Sequence, residues 1–163
     1  MFLNKLSTDD QVKFLRLAVI LCHADGNYSV AERQMMRLYV GEIGCEDGMD
    51  ILENLEKEEE KHQREREKYF QLAYRFRSVI EEVKENSDIK GRKIILFELM
   101  GLAYVDKSFS ENERKLINDS IEALEFSSEC QPDSEYYFSV AGIEDMLKRY
   151  LKLQEEMTSY VLG

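Results

Sequence analysis

Leu21-Cys-His-Ala-Asp-Gly-Asn-Tyr-Ser-Val-Ala-Glu-Arg33 decides how this chain is read, because it returns as Leu102-Ala-Tyr-Val-Asp-Lys-Ser-Phe-Ser-Glu-Asn-Glu-Arg114. Leu21, Asp25, Ser29, Glu32 and Arg33 recur as Leu102, Asp106, Ser110, Glu113 and Arg114, and Tyr28 answers to Phe109. Each copy follows an apolar run, Phe14 to Cys22 and Ile94 to Ala103. A repeat of this kind marks one supersecondary unit used twice. Locally, each copy is the end of a buried helix, a short turn and the start of a second helix. Ser29 to Glu32 and Ser110 to Glu113 both have the capping-box form, in which Ser accepts from the third helical N–H and Glu reaches back to the cap. Gly26 suits a left-handed residue after the first helix, whereas Lys107 in the matching place would carry that conformation at a steric cost.

Working outward, the repeat predicts an all-α fold: one helical bundle of two pseudo-symmetric helix-turn-helix repeats plus a long C-terminal helix. A lone Pro and no sustained period-two alternation agree with that reading. A capping box at Thr8 to Gln11 would open the first helix, whose apolar residues surround it almost completely, as expected of a central helix. The second starts near Val30 and stops near Gly41 or Gly44. Met49, Ile51, Leu52 and Leu55 give the next segment a short apolar face. Glu56 to Glu67 then contains no apolar residue, and reads as a solvated helix or a mobile linker. From Tyr69, Leu72, Ala73, Phe76, Val79, Ile80 and Val83 form one stripe that ends at Asn86, Ser87 and Asp88. A break at Ser127 to Asp133 precedes a last helix, capped by Ser134, expected to lie across both repeats as a lid. The expected organisation is a single domain over 1–163, with repeats at 8–44 and 69–126, a charged segment at 46–67 and a final helix at 133–160. The helices 10–24 and 92–105 would form the core pair.

Charge narrows the partners. Thirty-three acidic residues against 22 Lys and Arg give a formal net charge of −11 in 163 residues, which repels phosphate backbones and anionic lipid. Nucleic acid and membrane insertion are therefore not expected, and the N-terminus lacks a signal-peptide core. Cys22, Cys45 and Cys130, an odd number at wide spacing, read as reduced and mostly buried thiols, which favours a cytoplasmic location.

The run Leu-x-x-Ala-Asp-Gly-x-aromatic-Ser-x-x-Glu-Arg after an apolar helix, repeated about eighty residues on, resembles the TerB-like (tellurite resistance protein B) family over roughly residues 8–126. That resemblance implies paired helix-turn-helix units, a link to stress-response systems, and cation binding by acids that fall here on Asp25, Glu32, Asp106 and Glu113. Lys107 departs from the pattern in the second copy.

Read without the family, those acids are weaker ligands. Asp25 to Glu32 matches the last eight places of an EF-hand loop, but the first and third ligands would be Leu21 and His23, or Leu102 and Tyr104 in the other copy. Leu cannot ligate calcium, so a weak divalent-cation site at Asp25 with Glu32 competes with the plainer role of caps. His23 and Cys22 diverge on their helix, His62 lies in the charged run, and four convergent zinc ligands are not in prospect. His23 reads instead as a partly buried residue bonded to a neighbouring helix. Phosphate loops, nucleophile elbows and metalloprotease motifs are absent, and Glu59-Glu-Lys-His62 has di-iron spacing without an apolar face to hold it. The expectation is a non-enzymatic interaction or stress-response module with no catalytic residue and no cofactor beyond a divalent cation at the turns. An acidic surface patch would distinguish it if the two turns meet. A protein partner, or a second copy in a homo-oligomer, would engage aromatic and Met residues of the last helix, among them Tyr136, Tyr137, Phe138, Met146, Tyr150, Met157 and Tyr160.

Overall fold

A computed structural model describes residues 2–105, 110–124 and 140–162. Its elements are a short 3-10 turn, Leu3–Lys5, and seven helices: α1 Thr8–Cys22, α2 Val30–Ile43, α3 Gly48–Arg64, α4 Tyr69–Asn86, α5 Ile89–Ala103, α6 Glu111–Ala123 and α7 Val140–Leu162. No strand occurs among the described residues. The all-α expectation holds. The second turn, 106–109, and the break with its Ser134 cap lie outside the described residues, as do Asp106, Lys107, Cys130, Tyr136, Tyr137 and Phe138.

Helices α1 and α5 are the core pair. Phe14, Leu17, Ala18, Val19, Ile20 and Leu21 on α1, and Ile95, Leu96, Leu99, Met100 and Leu102 on α5, are all buried. Residues on every side of each helix are thus enclosed, which is what an all-round apolar sequence demands. Around them, α1 packs on α3 and α4, α4 on α6, and α2 on α3. Phe14 meets Tyr39 of α2 edge to face at 5.1 Å between ring centroids.

Helix boundaries follow local chemistry, with one correction. Ser7, not Thr8, caps α1: its side chain accepts from the Asp10 N–H at 3.2 Å, and Thr8 is the first helical residue. Ser7 wins because its backbone is extended, the conformation that a cap requires. Ser29 and Glu32 make the expected reciprocal box at α2, at 3.1 and 2.8 Å. Ser110 accepts from the Glu113 N–H at 3.2 Å in the second copy. Gly44 closes α2 with φ at 71°, in the left-handed region where Gly avoids a steric penalty.

Two expectations for larger segments are settled differently. The charged run is helical, the first of its two readings, since α3 continues to Arg64; it is not fully solvated, because it buries Glu56 and Glu59. Nor does α7 lie across both repeats: it packs on α5 and α6, with Leu147 against the core and Arg114 bonded to Glu144. Beyond Leu151 it leaves the bundle, and every described residue from Lys152 to Leu162 is exposed. Its apolar residues divide between two faces, of which only one reaches the bundle.

Candidate functional site

The first turn runs from His23 to Ser29 and is shaped by its own side chains. Asp25 accepts from the Asn27 N–H at 3.0 Å through one carboxylate oxygen, an Asx turn, and Gly26 takes φ of 78°. His23 is buried. Its Nδ1 lies 2.7 Å from the Val19 carbonyl of its own helix rather than a neighbouring one, as an i−4 contact on a helix end allows. The ring lies against Tyr28 at a tilt of 43°, with centroids 4.6 Å apart. Tyr28 in turn carries the Arg33 guanidinium over its face at 4.3 Å.

Behind this turn the charged half of α3 supplies a lattice. Arg37 of α2 donates to Glu56 at 3.0 Å through Nη1 and pairs with its other oxygen at 2.8 Å through Nη2. Arg33 stands 3.8 Å from the same carboxylate. The Tyr28 hydroxyl is buried without a hydrogen bond of ordinary geometry among the described residues, yet it faces Glu56. Burial first, and the Glu56 charge second, push this phenol well above its usual range. The hydrogen bond to Glu56 raises the Arg37 pKa as well.

Arg75 of α4 closes the other half. It donates to Glu59 at 2.9 Å and to Glu67 at 2.7 and 2.8 Å, so two carboxylates share one fork. Burial alone would lower its pKa, but the hydrogen bonds to Glu59 and Glu67 outweigh that and raise it. Glu67 reaches Arg75 because Arg66, at φ 57°, turns the chain back after α3. A left-handed non-glycine residue costs about 1–2 kcal/mol. His62 Nδ1 lies 3.4 Å from Glu67. A recess of about 360 Å³ opens between this lattice and the turn, lined by His23, Gly26, Glu59, Gln63, Glu67 and Tyr69 among others. Both of its carboxylates are held by Arg75. Helix α6 touches the same place: Asn112 donates to the Ala24 carbonyl at 3.0 Å.

The sequence-selected acids therefore separate. Asp25 is exposed, whereas Glu32 and Glu113 are buried at the first turns of α2 and α6, and Asp106 lies outside the described residues. Buried caps do not make the expected acidic surface patch. No group of three or more His, Cys, Asp or Glu among the described residues is arranged to hold a metal ion. What sequence reasoning missed is Glu56, Glu59, Glu67, Arg37 and Arg75. A signal was available: Glu56 and Glu59 stand three apart and share a helical row with Leu52, the fully buried apolar residue of that helix.

An all-helical bundle in which capped helix starts and buried ion pairs border the first turn is the class that fold and site define. The model of the tellurite resistance protein TerB family matches residues 11–132, most of the chain, and the chain belongs to that family. No curated protein and no solved structure matches it. No described helix is long and apolar enough to cross a membrane.

Proposed function

We propose that the chain is a non-enzymatic interaction module of the tellurite-resistance and stress-response type, cytoplasmic, acting through protein contacts rather than through a bound cofactor. One observation carries this reading: the carboxylates nearest the repeated turn already have partners within the chain. Glu32 bonds the Ser29 N–H, Asp25 the Asn27 N–H, Glu56 Arg37, and Glu59 and Glu67 Arg75. A general acid or base needs a proton to exchange with substrate, and a cation ligand needs lone pairs aimed at one point. These acids are spent on caps and guanidinium forks. The competing reading is a divalent-cation sensor using Asp25 and Glu32, with Asp106 and Glu113 in the other copy. It would require Asp25 and Glu32 to leave bonds they make.

Thermal unfolding with calcium, magnesium, manganese and zinc decides between them. Under the interaction reading no cation moves the midpoint, for the native chain or for Asp25→Ala. A cation at about a hundred times its dissociation constant would add about 2.7 kcal/mol and raise the midpoint by roughly 5–10 °C. A rise of that size in the native chain, lost in Asp25→Ala, replaces this reading by the sensor.

A further inference from the structure

Helix α7 carries a second apolar row that the bundle does not use. Met146, Leu153, Met157 and Tyr160 are exposed at 38, 53, 58 and 91%. In sequence the row continues through Ile143 and Tyr150, so the steps from Ile143 to Tyr160 alternate three and four residues. That is the 3.5-residue period of a two-helix seam rather than the broader stripe of a helix lying on a globular core. Leu147 and Leu151, one step away, face the core or are half-buried. The last three turns hold no place in the bundle, and an isolated helix of that length is marginal in water.

The charges flanking the seam identify what covers it. With Met157 at one seam position of the heptad and Met146, Leu153 and Tyr160 at the other, one flank holds Arg149 and Glu156, and the opposite flank holds Leu147, Gln154 and Val161. In an antiparallel pair of identical helices each flank meets its own kind. Arg149 of each copy then stands beside Glu156 of the other, twice by symmetry. A parallel pair would set Arg149 beside Gln154 and Glu156 beside Val161, with no ion pair. Among the described residues Arg149 bonds across the exposed surface, to Asp145 at 2.8 Å, a contact worth little that is readily exchanged.

We propose that α7 is a self-association helix, and that two copies of this chain pair through it in antiparallel fashion about a twofold axis near Leu151 and Lys152. Met146 of one copy packs against Met157 of the other, and the interface is isologous. This rests on the interaction-module reading only in naming a partner, and the cation test above decides that reading separately.

Sedimentation of the full chain across about 1–200 µM tests the pairing. The expected result is a concentration-dependent rise from 19.2 kDa to twice that mass. Leu153→Glu with Met157→Glu should weaken dimerisation at least tenfold without lowering the thermal midpoint of the monomer, because neither residue touches the core. Arg149→Glu and Glu156→Arg should each weaken it several-fold, and the two together should restore it. A chain that stays at 19.2 kDa throughout gives this face to some other partner and overturns the proposal. So does a dimer indifferent to Leu153→Glu with Met157→Glu. Failure of the double charge reversal to rescue overturns the antiparallel arrangement.

Discussion

Tyr28 shows how one side chain links the turn to the lattice behind it. Its ring lies between His23 and Arg33, while its hydroxyl is buried facing Glu56. Burial, reinforced by that carboxylate, raises its pKa from the ordinary 10.0, and burial does the same for Tyr39. The folded state therefore keeps protons that the unfolded chain releases above about pH 10. Stability is fully present below that pH and falls as pH rises past it, with the slope set by the proton difference. Tyr28→Phe should leave stability near pH 7 within about 1 kcal/mol, since the hydroxyl it removes makes no hydrogen bond of ordinary geometry among the described residues. It should flatten the decline between about pH 9.5 and 11.5, with Tyr39, Tyr69 and Tyr104, whose pKa values burial also raises, accounting for what remains. Urea midpoints across that range measure it, and an unchanged slope would mean that Tyr28 ionises freely in the folded protein.

Helix α3 meets the bundle through charged side chains as well as apolar ones. Its second half offers Glu56 and Glu59 to the core side and receives Arg37 from α2 and Arg75 from α4. Such ion pairs are hard to rank against apolar packing, because desolvation offsets much of the attraction. Removing one partner is different, as it leaves a buried charge uncompensated. Arg75→Met should therefore cost about 3–5 kcal/mol, and Arg75→Met combined with Glu59→Leu should recover a large part of that. A double-mutant cycle by urea denaturation measures the coupling, and additive losses would show that Glu59 does not depend on Arg75. Stripe spacing located α4 and α5 in the sequence. It failed on α3, because periodicity is scored on apolar residues and this helix buries carboxylates in the same row as Leu52.

At the scale of the molecule, one apolar cluster joins α1 to α6, with α1 and α5 contributing most of its fully buried residues. Unfolding should accordingly be one cooperative transition. Far-UV circular dichroism and tyrosine fluorescence, the latter available because the chain has nine Tyr and no Trp, should give coincident curves. Leu17→Ala, at a fully buried position of α1, should cost about 2–5 kcal/mol and move both curves together. Separate midpoints would mean that the halves fold as independent units.

The sequence by itself determined that the chain is all-helical, where most of its helices begin and end, and to which family it belongs. Those properties are local: caps, glycine in a left-handed turn and apolar spacing act over a few residues. Only the tertiary structure decided that Glu32 and Glu113 are buried, that Glu56, Glu59 and Glu67 answer to Arg37 and Arg75, and that α7 leaves the bundle after Leu151. Which charge a carboxylate meets depends on helices packed from distant parts of the chain, as Arg75 and Glu59 are, and no pattern within either helix specifies the other.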